Sequence, residues 1–357
     1  MSKIKIAYLD TSFGNEDYSI DPVKYGGCSI LAKWAKELLS KNEFEFFIFA
    51  SPESLSGLNR RRTENDINCI PIKKETTQQI IKGEFLENCI PGLEYFDIIF
   101  HHNIRFKFNF KSKKIKEVMW CPFGTIDDAH PEIDYALCFR KNQKPKTNNQ
   151  KIFNFALGTE VNPLRVFSKK KNFIFQCTRH DEQTNSIEVA ENCHKYNIPG
   201  FFAGPIFYKN PRPFLNLIDN KNCFYMDRTI PSETKIDFTM GASLCPFLFK
   251  RNPSFNISAV ESLACGTPIL IPEENLPERS NNDAMFLGET ITDDQFLKKL
   301  TKENETGFFY NRSNFKECFE ASKNIVPEKC WEIAQEFSVE RMIGSVSLIL
   351  KEIKETN

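Results

Sequence analysis

The order strand, turn, helix, strand occurs near the start of this chain and begins again in its middle, and this alternation constrains the fold more than any other feature. Lys3 to Asp10 (KIKIAYLD) reads as a buried strand; a polar loop follows, then Tyr25-Gly26-Gly27 and a helix with Ile30, Leu31, Trp34, Ala35, Leu38 and Leu39 on one face. Phe44 to Ala50 (FEFFIFA) is the next strand. That succession is the βαβ unit of a parallel sheet covered on both faces. Further strands are predicted at Tyr95 to Phe100, Lys116 to Trp120 and Asp134 to Phe139, and then Arg140 to Lys151 (RKNQKPKTNNQK) has the polar composition of a linker. The α/β pattern resumes with a strand at Asn172 to Cys177, a helix at Ser186 to Tyr196 and a strand at Gly200 to Gly204. Thr292 or Asp293 caps a helix reaching Leu300, and Val339 to Ile353 is a long closing helix.

A chain of 357 residues exceeds the size at which a single core keeps growing, so two domains are expected, 1–150 and 151–335, followed by the C-terminal helix 336–357. Apolar residues make up 41% and charged residues 26%, an ordinary globular balance. The 47 basic and 47 acidic residues cancel, so only local patches can speak for a polyanionic partner. Twelve cysteines, with no C-x-x-C pair, and a start without the apolar core of a signal peptide lead us to expect reduced thiols in a cytoplasmic protein. No apolar run approaches the roughly 20 residues of a membrane span.

The stretch Ser258 to Leu270, SAVESLACGTPIL, carries the sharpest question. Ile257, Val260, Leu263 and Ala264 recur at helical spacing, Gly266 can supply a left-handed cap, and Pro268 stops the helix before the buried run Ile269-Leu270-Ile271. Glu261 lies beside that apolar stripe, where a carboxylate is costly unless paired or bonded. It is either a solvated residue at the stripe's edge or a group aimed at the hydroxyls of a ligand.

Other candidates are read with the same two alternatives. Gly26-Gly27 before a helix lets an anion approach unpaired N–H groups at a positive helix end, or is a plain left-handed turn. Thr178-Arg179 closes the strand that opens the second half, where Arg179 could grip a diphosphate or simply face water. Lys250 and Arg251 precede the Glu261 helix and form, with its N-terminus, a plausible seat for a diphosphate. Arg105 to Lys111, with Lys113, Lys114 and Lys116, alternates basic and aromatic residues: either a contact for an anionic surface or nucleic acid, or a half-buried strand with Phe106, Phe108 and Phe110 inward. His101, His102, His130 and His180 lack metal-ligand spacing and read as ordinary polar residues, Asp127-Asp128 as a solvated loop. No Ser-His-Asp order, P-loop or G-x-G-x-x-G is present, which removes several enzyme classes.

Taken in order, these segments resemble the retaining glycosyltransferases of family four. Asp21 to Gly27 with the following helix is similar to that family's donor-phosphate glycine loop, Ala156 to Asn162 with Phe167 to its interdomain crossover, and Thr178-Arg179 to the Gly-Arg that holds the donor diphosphate. Phe255 to Pro268, with Leu276-Pro-Glu278 and Thr306 to Tyr310, is the strongest match. The resemblance implies the α/β GT-B fold, two Rossmann-like domains facing across a cleft, an acceptor-side domain first and a donor domain second, with the C-terminal helix crossing back to the first. It implies transfer of a hexose or pentose from a nucleotide-sugar co-substrate, with retention, no metal and no other cofactor. Carried onto this sequence, Glu261 is the ribose-binding glutamate, Arg179 stabilises the leaving group, and the amides of Phe255, Asn256 and Ile257 face the diphosphate.

Three departures accompany the match. The first of the family's two glutamates falls on Pro253; the lysine expected after the arginine falls on Thr184 or Asn185, so that Lys250 or Arg251 would have to supply the charge; and the acceptor-side histidine falls near Cys121, with His130 as a substitute. A nucleotide-binding GT-B protein without efficient transfer, or another nucleotide-sugar enzyme such as an epimerase, is therefore carried alongside. The acceptor class, whether glycan, lipid head group, protein or modified nucleic acid, stays open.

Overall fold

The computed structural model describes residues 3–9, 38–40, 43–50, 68–101, 108–111, 114–121, 132–138, 145, 147–155, 158–161, 170–228, 230–249, 256–273, 283–286 and 289–356. The chain divides into two compact units, Met1–Ala156 with Glu340–Asn357, and Leu157–Val339.

The first unit is built on a seven-stranded sheet. Its strands are β1 (Ile4–Leu9), β2 (Phe44–Ala50), β3 (Asn68–Pro71), β4 (Ile98–His101), β5 (Lys116–Cys121), β6 (Tyr135–Cys138) and β7 (Lys151–Asn154), in the order β3-β2-β1-β4-β5-β6-β7. Every neighbouring pair is parallel. In β1, β4 and β6 the strand interiors are buried outright, the signature of strands covered on both faces. The helices α1 (Lys74–Ile81) and α2 (Leu86–Cys89) cover one face through Ile80, Leu86 and Cys89.

The predicted strand at Tyr95 to Phe100 starts later, at Ile98, because Gly92 at φ 82° turns the chain into a single 3-10 turn over Leu93–Tyr95. β7 begins where the polar linker was expected to end. It is an edge strand whose residues are exposed or half-buried, so it lacks the apolar run that marks the central strands.

In the second unit β8 (Ile174–Cys177), β9 (Gly200–Ala203) and β10 (Cys223–Tyr225) form one parallel set, and β11 (Cys245–Pro246), β12 (Ile269–Pro272) and β15 (Gly307–Tyr310) another. A parallel bridge between Ile174 and Leu244 joins them, giving the order β10-β9-β8-β11-β12-β15. β13 (Asp283–Phe286) and β14 (Glu289–Thr292) are an antiparallel pair. The helices are α3 (Ser186–Tyr196), α4 (Arg212–Leu215), α5 (Ser232–Gly241), α6 (Ile257–Ala264), α7 (Asp293–Leu300), α8 (Phe315–Ser322) and α9 (Pro327–Ala334), and the chain returns to the first unit with α10 (Val339–Glu355).

Part of the large phenylalanine content is spent in this unit's core. Phe173, Phe201, Phe224 and Phe238 pack ring on ring, Phe201 lying 4.9 Å from Phe224 and 5.3 Å from Phe238 between centroids. Such pairs add about 1 kcal/mol each beyond the area they bury. The predicted helix over Ile30 to Leu39 lies outside the described residues except at Leu38 and Leu39, which are helical, Leu39 fully buried. Among the described residues, no helix is long and apolar enough to cross a membrane.

Candidate functional site

Both sheets reverse their strand order beside the first strand. In the second unit β9 lies on one side of β8 and β11 on the other, so the connections leaving their carboxyl ends part company there and open a crevice. Cys177, Thr178 and Arg179 stand at that end of β8. The position follows from topology alone.

Backbone packing holds the segment tightly. Thr178 donates its N–H to the Ala203 carbonyl at 3.0 Å, and Gly204, at φ 122°, passes so close that a Cβ there would lie 2.0 Å from the Thr178 oxygen. Arg179 then projects with its side chain 53% exposed, and its Nε donates to Asp181 Oδ2 at 2.5 Å. Asp181 is itself fixed: its other oxygen accepts from the N–H groups of Gln183 and Thr184, both at 3.0 Å, while its own N–H donates to Thr184 Oγ1. With Nε engaged, the two terminal nitrogens of Arg179 are the donors left to face outward. Thr184, where a lysine was expected, is buried in this turn, and Asn185 takes a left-handed conformation at the start of α3. Neither adds a cation.

His180 between them is a core residue. Its Nε2 donates to the Ala203 carbonyl at 3.1 Å and its Nδ1 accepts from Ser186 Oγ at 2.8 Å. Burial pushes its pKa down to about 4, against the opposing pull of the Ala203 carbonyl and Asp181. The folded form therefore resists protonation, and the unfolded chain takes up the proton first as pH falls. The contribution is complete above about pH 6.5 and is lost progressively toward about pH 4, amounting to about 3 kcal/mol at its limit. Urea unfolding of the wild type and of His180→Gln, followed from about pH 7 to about pH 4.5, should show a flatter pH dependence in the variant. Parallel slopes would contradict the assignment.

Glu261 answers the question raised by its position. It sits on α6, whose predicted stripe is buried at Val260, Leu263 and Ala264 and half-buried at Ile257, and Gly266 follows the helix at φ 68°. The carboxylate is neither buried alone nor free in water: its Oε2 accepts from Lys235 Nζ of α5 at 2.5 Å, with the two side chains 27% and 28% exposed. Burial works to lower the Lys235 pKa, but the facing Glu261 and the nearby Cys177 outweigh it and hold the ammonium above its ordinary value. Burial likewise raises the Cys177 thiol, with Lys235 opposing and Glu261 reinforcing the shift. Lys235, Glu261 and Cys177 are thus one electrostatic cluster at the carboxyl end of β8.

Asn256 is the N-cap of α6. Its Oδ1 accepts from the Ala259 N–H at 3.0 Å, leaving the N–H groups of Ile257 and Ser258 without an acceptor inside the helix. Those two amides are donors at this helix start. Lys250, Arg251, Pro253 and Phe255 lie outside the described residues, as do Gly26, Gly27 and His130.

At the matching switch point of the first sheet, between β1 and β4, His101 closes β4. It is fully buried, with Nε2 3.2 Å from Glu117 Oε1, which also accepts from the Phe108 N–H at 3.0 Å. His101 is thus a partnered core histidine. Cys121 ends β5, its side chain outside the described set. In the basic-aromatic segment Phe108 is buried, Phe110 packs partly against the core and Lys111 lies over the Phe85 ring at 5.9 Å; in place of the expected strand, Asn109 makes an isolated parallel bridge to Phe85, and Arg105, Phe106 and Lys113 lie outside the described residues.

No family model matches the sequence, and no curated protein matches it. Solved structures do. A glycosyltransferase from Rickettsia africae superposes over 100% of both chains at a TM-score of 0.66 and 12% identity. AviGT4, a glycosyltransferase involved in avilamycin A biosynthesis, gives 0.62 at 10% identity over 99% of each chain. HepE of Anabaena, solved in complex with UDP, gives 0.61 at 10% identity over 98% of this chain and 100% of that one. At these identities the agreement is one of fold: the chain has the α/β GT-B fold.

Proposed function

We propose that this GT-B chain is a retaining glycosyltransferase, of the family-four type, that transfers a sugar from a nucleotide-sugar to an acceptor. The observations that carry the reading are that Arg179 follows the carboxyl end of β8, at the switch point of a doubly wound sheet, and that the charges of Glu261 and its partner Lys235 are felt at Cys177 on the same strand end. Glu261 would accept hydrogen bonds from the ribose hydroxyls. Arg179, held at Nε by Asp181, would turn its remaining donors to the diphosphate, joined by the free amides at the start of α6. Charge develops on the diphosphate as the sugar leaves, and donors fixed beforehand lower that barrier without reorganising. In this reading the chain's own cations and amides serve the leaving group, so no resident metal is called for. HepE and its UDP complex support a uridine nucleotide as the first donor to try.

A second reading, nucleotide binding without efficient transfer, is favoured by Thr184, whose burial in the Asp181 turn leaves no cation where a lysine was expected. Thermal shift with UDP, GDP, ADP, CMP and their sugar conjugates, using Glu261→Ala as control, tests both. Ligand at about a hundredfold over its Kd stabilises the native state by about 2.7 kcal/mol, a shift of several degrees. A shift with one nucleotide, lost in the variant, supports the site; slow donor hydrolysis or product with any acceptor then separates transfer from binding alone. No shift with any of them removes the donor-site assignment.

A further inference from the structure

The sequence contains no motif that marks Lys235, yet it forms an ion pair with Glu261, across 26 residues and between two helices. Side chains on a helix lean toward its N-terminus, and in a doubly wound sheet those N-termini follow the carboxyl ends of the strands. Lys235 and Glu261 therefore both lean toward the β8 end, where Cys177 senses their charges. The pair uses only one carboxylate oxygen. Oε1 of Glu261 has no partner among the described residues, while Oε2 is held by Lys235.

We infer that Lys235 is a positioning residue of the donor site, fixing Glu261 by one oxygen so that the other is presented to the ribose hydroxyls of a nucleoside diphosphate. This rests on the donor-site reading above. A glutamate on an exposed helix face would have to give up side-chain freedom on binding; a lysine already bonded to it removes part of that cost in advance. The pair also differs from a core pair in placement, since both side chains are about a quarter exposed and Glu261 lies outside the apolar stripe of α6.

The test measures binding of UDP, GDP and ADP to the full chain by calorimetry, each beside its counterpart lacking both ribose hydroxyls. The wild type should prefer the ribose form of its nucleotide roughly tenfold or more, the worth of a hydrogen bond to a charged group. In Lys235→Met and Lys235→Gln that preference should fall several-fold, with affinity for the dideoxy form little changed, and Lys235→Arg should restore most of it. A purely structural lysine would weaken both forms together and leave the ratio intact, which would overturn the inference. So would tighter ribose binding in Lys235→Met, because the lysine would then be a competitor that the ligand must displace. If the wild type binds none of the three nucleotides, or binds without ribose preference, the donor-site reading itself falls. That result is separate from a wild-type preference that survives the loss of Lys235.

Discussion

Arg179→Ala is expected to reduce sugar transfer by about 10² to 10³-fold at saturating donor, the scale on which one preorganised donor to a developing charge acts. Folding stability should hardly change. The Arg179 side chain is 53% exposed, and the buried Asp181 keeps its hydrogen bonds from the Gln183 and Thr184 N–H groups when the guanidinium is removed. The effect should therefore separate cleanly from unfolding: turnover collapses while the melting temperature stays within a degree or two. Asp181→Asn should fall between, since it keeps the turn's hydrogen bonds but loosens the guanidinium that the carboxylate orients. Product formation by each variant, measured with the nucleotide-sugar identified in the thermal screen, checks this. Near-wild-type turnover in Arg179→Ala would remove that residue from the proposed mechanism.

Gly204→Ala is expected to have the largest effect on stability. A Cβ at this residue meets the Thr178 carbonyl oxygen at 2.0 Å, and its φ of 122° is one that side-chain-bearing residues rarely adopt. Both the backbone strain and the forced separation of β8 from β9 oppose the substitution, each on the order of 1 to 3 kcal/mol. The second unit should lose about 3 kcal/mol or more, read as a lowered urea midpoint. Nucleotide affinity should fall with it, because the displaced backbone is that of Thr178 and Arg179. Gly344→Ala is the contrasting case. It lies inside α10 with nothing within 4 Å of the added carbon, so the substitution should stabilise by about 0.5 to 1 kcal/mol. If both glycines respond alike, local geometry is not what distinguishes them.

The α/β architecture was legible because buried parallel strands are short apolar runs and their helices carry periodic stripes. The run Ile269 to Ile271 and the stripe of Val260 and Leu263 are buried where periodicity puts them, and Gly266 takes the left-handed conformation expected of a cap. The position of Glu261 was legible for the same reason, as a charge beside a stripe. Its partner was not. On α5 the apolar residues Ile236, Phe238 and Met240 recur every second position, a strand-like period, so neither the helix nor the direction of Lys235 follows from the pattern. The Asp181 to Thr184 turn is local enough to be read, since Asp and Thr side chains bond backbone groups two or three residues away, but its grip on Arg179 needs coordinates. β7 escaped because an edge strand need not be apolar.

The path of the chain at its close has a consequence for biosynthesis. α10 is assigned with the first unit, buries Met342, Val346, Leu350 and Ile353, and pairs Lys351 with Glu43 and Lys354 with Asp97. Just before it, Ser338 is bridged to Thr159, beside the point where the chain first leaves that unit. On the ribosome, residues 1–156 emerge first yet wait for a helix translated only after the whole second unit. At roughly 5 to 20 residues per second that interval lasts on the order of ten seconds or more, during which the surface that α10 will cover is bare. The second unit, continuous in sequence, can complete itself earlier, so the half of the protein made first is the half finished last.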